Sequence, residues 1–205
     1  MMRMNRRGLV IVISAPSGAG KSTLCGRLVR KLPHIVNSIS CTTRPMRPGE
    51  IEGRHYFFVS EEKFKAMIKK GEFVEWANVH GHLYGTPRKY LEKNIRSGID
   101  TLLNIDVQGG LSIRAMFPDA VMIFVMAPSM KELERRLRGR KQDTDREIRK
   151  RLANARTEIR SLKRYEYLII NDRIPAAMRE LEAILTAEHR KLAHLPNRYV
   201  QQIMT

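Results

Sequence analysis

The most constraining feature of the sequence is a run of apolar, mostly β-branched residues that leads directly into a glycine-rich loop. Residues 9–14 read Leu-Val-Ile-Val-Ile-Ser, which is typical of a parallel strand buried on both faces. After the loop, Leu24, Leu28 and Leu32 recur at helical spacing until Pro33. The sequence therefore predicts a strand, a tight loop and a helix, with the loop at the carboxyl end of the strand.

The loop matches a pattern that binds phosphate. It reads Ala-Pro-Ser-Gly-Ala-Gly-Lys-Ser, the Walker A pattern with alanine in place of the first glycine. In such a loop backbone N–H groups approach phosphate oxygens, the lysine reaches the β and γ phosphates, and the last hydroxyl binds Mg²⁺. The alternative is a glycine-rich turn with a solvated lysine. We predict a triphosphate-binding loop, with Lys21 as catalytic cation and Ser22 as metal ligand, formed by Ala15, Pro16, Ser17, Gly18, Ala19, Gly20, Lys21 and Ser22.

Three further apolar segments predict buried strands, and helical patterns separate them. The predicted strands are residues 100–106, 120–127 and 167–171. Strands that alternate with helices favour an α/β fold with a parallel sheet and right-handed crossovers. Residues 131–164 read as two helices with a polar break at 139–145, and the second has Ile148, Leu152, Ala155 and Ile159 on one face. Residues 41–88 depart from this rhythm, with short alternating stretches at 55–59 and 73–79, and predict an inserted α+β subdomain.

Length and composition limit the class of protein. A chain of 205 residues with 42% hydrophobic residues is long enough for one domain with a substantial core. Its longest apolar runs are far below the roughly 18 residues that a membrane span needs, so we expect no membrane association. The basic start followed by an apolar run could be a signal peptide, but cleavage near Ala15 would remove the strand that the phosphate loop requires. Cys25 and Cys41 form no zinc or disulfide pattern, which predicts a cytoplasmic location.

The charge is strongly positive. The formal net charge is +17, and residues 131–164 contribute 14 basic and 6 acidic side chains to it. Such a surface suits an anionic partner, for which nucleic acid, acidic lipid and polyphosphate are all candidates on charge alone. No stacking aromatic array, zinc pattern or recognition-helix motif accompanies the charge, so we expect no specific nucleic-acid binding.

Motifs in and after the inserted segment suggest which molecule accepts the phosphoryl group. They are SCTTRPMRPGE at 40–50, HYFF at 55–58, EFVEW at 72–76, YGT at 84–86 and NIDVQG at 104–109. Together with the phosphate loop, this ordered set closely resembles guanylate kinase, and the resemblance runs from about residue 8 to 190. It implies a single domain over 1–205, with a core (about 8–39, 99–130 and 165–190), a GMP-binding subdomain (about 40–90) and a lid (about 136–151). It also implies ATP as the phosphoryl donor, Mg²⁺ as the cofactor, and GMP and dGMP as phosphoryl acceptors.

The resemblance also implies roles for individual residues. Guanine presents N1–H and N2–H₂ donors side by side, which a carboxylate attracts, and Glu75 matches that family position. The residues that match GMP-binding positions are Ser40, Arg44, Arg47, Tyr56, Glu75, Tyr84, Thr86 and Asp106. Among them Arg44 and Arg47, with the phenols of the two tyrosines, match the cradle for the GMP phosphate, where guanidinium contacts are strong and directional.

The lid and the adenine side complete the set of expectations. Arg140 and Arg151 match lid arginines that close over the phosphates, and Asn171 matches a position near the adenine of ATP, although a role as a strand-end cap is equally consistent with its place. Two departures are Asn104, where many members carry an aspartate, and Lys141, where glycine is frequent. The alternatives are a guanylate-kinase-like binding module without catalysis, a kinase for another nucleoside monophosphate and a basic nucleic-acid-binding protein. The sequence does not give the oligomeric state.

Overall fold

A computed structural model describes residues 7–79, 81–139, 143–195 and 201 of the chain. Arg140 and Lys141, two of the positions singled out in the lid, lie outside the described residues. The strands in chain order are β1 (Val10–Ser14), β2 (Ile35–Asn37), β3 (Cys41–Thr42), β4 (Phe57–Phe58), β5 (Phe73–Val79), β6 (His82–Pro87), β7 (Asp100–Asn104), β8 (Val121–Met126) and β9 (Tyr167–Ile170). The helices are α1 (Lys21–Lys31), α2 (Glu61–Lys69), α3 (Arg88–Arg96), α4 (Val107–Met116), α5 (Met130–Gly139), α6 (Asp145–Ile159) and α7 (Ile174–Glu188).

A parallel five-stranded sheet forms the centre of the fold, in the order β2-β7-β1-β8-β9. All five residues of β1 are buried, as expected for a strand with neighbours on both sides and helices over both faces. The predicted α/β fold with a parallel sheet is therefore confirmed.

The predicted strands differ from the observed ones mainly at their ends. The segment predicted as 100–106 ends at Asn104, because Asp106 instead caps α4 by accepting a hydrogen bond from the Gly109 N–H at 2.7 Å. The short edge strand β2 was not predicted, since only three residues with mixed burial form it. Such a strand has little hydrophobic pattern to reveal it.

The inserted segment forms a second, four-stranded sheet in the order β4-β3-β6-β5. Its β5–β6 and β3–β6 pairs are antiparallel and its β3–β4 pair is parallel. A separate small core holds it together, in which the rings of Phe64 and Phe73 stack with centroids 4.4 Å apart beside Cys41. The predicted α+β character of this segment agrees with α2 packed on the sheet.

Helices α5 and α6 correspond to the two helices predicted in the basic region. Helix α6 begins with a capping box, in which Thr144 and Glu147 exchange hydrogen bonds between side chain and backbone. Several arginines on α5 are paired within the segment, since Arg136 contacts Glu132 at 2.7 Å and Arg138 contacts both Glu134 and Asp145. Part of the positive charge is therefore neutralised locally.

None of the described helices combines the length and the apolar character that crossing a membrane requires.

Candidate active site

The phosphate loop joins the carboxyl end of β1 to the amino end of α1. Gly18 and Gly20 have φ angles of 94° and 93°, in the left-handed region that favours glycine. Gly20 is also the N-terminal cap residue of α1, so the free N–H groups of the helix start face the loop. A Cβ atom on Gly20 would lie 2.3 Å from Nδ2 of Asn171, which leaves no room for a larger residue.

Asn171 braces this loop from the far end of the chain. Its side-chain amide is buried and donates a hydrogen bond of 2.8 Å to the Ala19 carbonyl. The residue follows β9, two strands away from β1 in the sheet. Asn171 also lines a cleft beside Gly18, Gly20 and Arg136, so its position fits both roles considered from the sequence.

Lys21 lies at the start of α1 and points toward the end of β7. Its ammonium group donates a hydrogen bond of 2.6 Å to the Ile105 carbonyl. Burial lowers the pKa of Lys21, while the nearby Cys25, Asp106 and Glu158 groups oppose that shift. The lysine is thus held in place by the strand end and stays surrounded by carboxylates that favour its charged form.

Arg151, on α6, contacts the phosphate loop. One guanidinium nitrogen donates to the Ser17 hydroxyl at 2.8 Å, and the other contacts Asp143 at 2.9 Å. These contacts bring the predicted lid arginine to the same loop as Lys21. The second predicted lid arginine, Arg140, falls outside the described part of the chain.

Three adjoining clefts line up along the carboxyl end of the central sheet. The first lies beside Asn171 and Arg136, and it shares Gly18 and Gly20 with a second cleft formed by the phosphate loop. The second cleft shares Ser22 with a third, which runs between the two sheets. The third is lined by Ser40, Tyr56 and Thr86 among the predicted GMP residues, and by Asn104. The phosphate-loop cleft and the cleft between the two sheets therefore adjoin at Ser22.

The half-buried Glu75 and the buried Thr86 form a hydrogen-bonded pair on neighbouring strands of the inserted sheet. The Thr86 hydroxyl donates a hydrogen bond of 2.5 Å to Oε1 of Glu75. Burial raises the pKa of the Glu75 carboxyl, Asp106 adds to this shift, and the bond from Thr86 opposes it. Both carboxylates lie close to Gly109, where a Cβ would be 3.4 Å from an oxygen of each. Two acceptor groups therefore share one corner of the site.

The predicted phosphate cradle is organised around Glu50. The Glu50 carboxylate accepts a hydrogen bond of 2.6 Å from Nη2 of Arg44 and one of 2.7 Å from the backbone N–H of Arg47. These contacts lower the pKa of Glu50 and raise that of the Arg44 guanidinium. The guanidinium carbon of Arg44 also lies 5.5 Å from the ring centroid of Tyr56, which meets Tyr84 edge to face. Arg44 is buried in this cluster, whereas the Arg47 residue is exposed.

Sequence reasoning missed several residues that organise the site. Glu50 accepts a hydrogen bond from Arg44, and Asp143 accepts one from Arg151. Arg54 lines the third cleft. Glu158 lies near Lys21, and one of its carboxylate oxygens is buried with no hydrogen-bond partner among the described residues. Glu50 lies six positions after Arg44, and Asp143 lies eight positions before Arg151. Such spacings do not predict a contact from the sequence, because only the folded chain brings each pair together.

The oxygen groups beside the phosphate loop suit a magnesium ion. Mg²⁺ prefers oxygen ligands and keeps several of its waters when it binds with substrate phosphates. The exposed Ser22 hydroxyl stands where the second and third clefts meet, and the exposed Asn104 side chain borders the third cleft. Ser22 can supply a direct ligand, and Asn104 can accept from a metal-bound water, so the donor set fits the ion.

Comparisons with known proteins agree with this geometry. The guanylate kinase family profile matches residues 7–188. A curated guanylate kinase of Syntrophotalea carbinolica is 50% identical over 185 residues, covering 90% of this chain and 88% of that protein. A second, from Caldanaerobacter subterraneus, is 46% identical over 187 residues and covers 91% of each chain. The crystal structure of guanylate kinase from Anaplasma phagocytophilum superposes with a TM-score of 0.73 at 39% identity, covering 93% of this chain and 90% of that one. With its phosphate loop, its inserted sheet and nearly its whole length matched, the chain belongs to the guanylate kinase family.

Proposed function

We propose that this protein transfers the γ-phosphoryl group of ATP to GMP, and also to dGMP, to give ADP and the corresponding diphosphate. The observation that carries the proposal is that Ser22 lines both the phosphate-loop cleft and the cleft of the inserted subdomain. A donor phosphate held by the loop and an acceptor phosphate held by the subdomain would meet at that residue. Membership of the guanylate kinase family supports the same reaction.

The proposed chemistry needs position and charge and no covalent intermediate on the protein. Phosphoryl transfer passes through a loose transition state, in which the main work is to align the groups and to neutralise developing charge. Lys21 would turn from the Ile105 carbonyl to the β and γ phosphates, and Arg151 would turn from Ser17 to the transferred group. Mg²⁺, held with Ser22 and the phosphates, would supply further positive charge.

Guanine would be selected by hydrogen-bond polarity. Glu75 offers an acceptor to the N1–H and N2–H₂ donors, and its bond from Thr86 fixes the direction in which the carboxylate points. Ser40 and Asp106 would contact the same base, while Arg44, Arg47, Tyr56 and Tyr84 would receive the phosphate. Adenine has an acceptor at N1 and no N2 amine, so it would face Glu75 with repulsion and an unpaired polar group.

The other interpretations have less support. The phosphate loop keeps Gly18, Gly20, Lys21 and Ser22, which a pure binding module has no reason to retain. Nucleic-acid binding rests on net charge, and three arginines of α5 are already paired with acidic neighbours on that helix. We further propose a cytoplasmic location, because both cysteines are buried free thiols and the substrates are metabolites of that compartment.

A coupled ADP-release assay tests the proposed function. The protein is supplied with ATP and Mg²⁺ and with one acceptor at a time: GMP, dGMP, AMP, CMP or UMP. We expect rapid turnover with the two guanine nucleotides and at least a 100-fold lower kcat/KM with the others, since a missing or opposed polar contact in a buried site costs several kcal/mol, of order 10² or more in kcat/KM. Equal rates with AMP and GMP would refute the proposed selection of guanine. The absence of ADP release with every acceptor would refute the proposed kinase activity.

A further inference from the structure

Two histidines and an aspartate cluster at the opposite end of the central sheet from the phosphate loop and its clefts. His34 belongs to the connection between α1 and β2, Asp100 is the first residue of β7, and His189 is the C-terminal cap of α7. Each offers one ligand atom, and the three atoms lie within 4.8 Å of one another. Because these are the amino ends of the parallel strands, the cluster is separated from the phosphate loop by the length of the sheet.

Asp100 fixes the geometry of this cluster. The side chain is fully buried, and its Oδ1 accepts a hydrogen bond of 2.9 Å from the Leu9 backbone N–H. Its Oδ2 faces both imidazoles, at 2.8 Å from Nε2 of His189 and 3.7 Å from Nε2 of His34. The carboxylate is therefore oriented by the backbone of one strand and directs its second oxygen between two ring nitrogens.

The spacing of the three side chains is close to that of a tetrahedral metal centre. Zinc binds imidazole nitrogen and carboxylate oxygen at about 2.0–2.1 Å, which puts neighbouring ligand atoms about 3.3 Å apart. The distances from Asp100 Oδ2 to the two imidazole nitrogens, 2.8 Å and 3.7 Å, lie on either side of that value, and all three ligand atoms lie within 4.8 Å of one another. Side-chain adjustments would bring the three atoms to tetrahedral spacing. We propose that His34, Asp100 and His189 form a binding site for one divalent transition-metal ion, with Zn²⁺ as the preferred ion.

The chemistry and exposure of the three ligands favour this class of ion. Two nitrogens and one oxygen suit zinc and its neighbours in the transition series, whereas Mg²⁺ and Ca²⁺ prefer all-oxygen sites. His34 is exposed, so the ion has an entry path and water can complete its coordination. The ligand set leaves one position for solvent, as in zinc sites with three protein ligands.

The ion would act on stability and would take no part in phosphoryl transfer. It would connect the loop after α1, the beginning of β7 and the end of α7, which are distant in sequence. A ligand that binds only the folded state stabilises it by mass action, so the melting temperature should rise with Zn²⁺ concentration. The competing explanation is that the cluster is simply an ion pair between the carboxylate and protonated imidazoles, which would need no metal.

Metal binding by the full chain, with any affinity tag removed, tests the proposal. Zn²⁺ is titrated calorimetrically, and Co²⁺ is added in parallel as a spectroscopic probe whose visible absorption distinguishes tetrahedral from octahedral coordination. We expect one Zn²⁺ per chain, a tetrahedral Co²⁺ spectrum and a higher melting temperature with Zn²⁺ but not with Mg²⁺. Acidification should weaken binding, because imidazole binds metals in its neutral form.

The variants separate a built site from adventitious binding. His34→Ala removes an exposed ligand, and Asp100→Asn keeps an oxygen for the Leu9 N–H while removing the charge. Each should weaken Zn²⁺ binding by at least about 10-fold, since even groups that only support metal ligands contribute 10- to 100-fold. The matched control is His82→Ala on β6, which should leave binding unchanged. No saturable Zn²⁺ binding, or equal affinity in the wild type and His34→Ala, would overturn the proposal, whether or not Asp100→Asn folds. None of these measurements uses ATP or GMP, so the outcome is independent of the proposed function.

Discussion

The sharpest test of base recognition is the replacement of Glu75 by glutamine. Glu75 is half-buried on β5, and its Oε1 accepts a hydrogen bond of 2.5 Å from the Thr86 hydroxyl while its other oxygen lies near Gly109. Glutamine has the same shape but replaces one acceptor with an NH₂ donor. If the amide keeps its oxygen on Thr86, the NH₂ group faces the guanine donors. If it turns over, Thr86 loses the acceptor of its own fully buried hydroxyl.

The magnitude follows from these two arrangements. A hydrogen bond to a charged group contributes about 1.5–3 kcal/mol, and a buried polar group left unpaired costs about 1–3 kcal/mol. Either arrangement of the glutamine removes the negative charge and leaves at least one polar group without a hydrogen-bond partner. We therefore expect a loss of about 2–4 kcal/mol in kcat/KM for GMP, which is roughly 30- to 1000-fold. AMP presents no N1–H donor, so its already low kcat/KM should not fall.

The assay compares kcat/KM for GMP and AMP in three proteins. These are the wild type, Glu75→Gln and a matched control, Glu61→Gln, which makes the same chemical change at an exposed position on α2. The GMP to AMP ratio should narrow by about two orders of magnitude in Glu75→Gln, in line with that loss, and stay constant in the control. If the ratio is unchanged in Glu75→Gln, the guanine edge must be read elsewhere, with Asp106 as the next candidate, and the assignment of the inserted sheet to the base would be wrong.

Three further predictions follow from the site. Lys21→Ala should lower kcat by at least about 100-fold with an unchanged circular dichroism spectrum, and a smaller loss would remove the lysine from the transition state. Gly20→Ala should cost about 1–2 kcal/mol from its positive φ, measured by urea unfolding, and should also raise the KM for ATP because the new Cβ meets Asn171. Its control, Gly26→Ala, lies in open space within α1 and should stabilise by about 0.5–1 kcal/mol, so equal effects of the two changes would contradict the loop geometry. Burial raises the pKa of Glu75, so acidification should protonate this carboxylate at a higher pH than an ordinary glutamate. The protonated form cannot accept hydrogen bonds from both guanine donors, so kcat/KM for GMP should fall as the pH is lowered through that range. The pH profile of Glu75→Gln should lack this fall.

Much of the central fold could be predicted because its signal is local. The continuous β-branched run at residues 10–14 and the glycines after it specify a buried strand and a phosphate loop without reference to the rest of the chain. The order of the strands could not be predicted in this way, since it depends on which helices cover which face. The end of β7 was misplaced for a related reason: Asp106 reads as part of an apolar segment, although an aspartate before a helix is also a good cap.

The candidate site was predictable in its residue types and less so in its contacts. Resemblance to the family predicted roles for Glu75, Thr86 and Arg151. In the structure Thr86 lines the third cleft and donates to Glu75, and Arg151 donates to Ser17 of the phosphate loop. It did not indicate that Glu50 holds Arg44, because that contact exists only when residues 44–50 close into a turn. The cluster at His34 was also missed, since its three ligands come from distant parts of the sequence and have no metal-binding spacing.

The brace between Asn171 and the phosphate loop has a consequence for the protein during its synthesis. A ribosome makes the chain from its amino end, so β1 emerges long before β7 and β8, between which it pairs. The loop after β1 receives its hydrogen bond from Asn171 only when a further 152 residues have been added. A nascent or cleaved chain that stops between β8 and β9 therefore contains the complete phosphate-loop sequence but lacks the side chain that supports its shape. Nucleotide binding should appear late in synthesis, nearly at the completion of the fold.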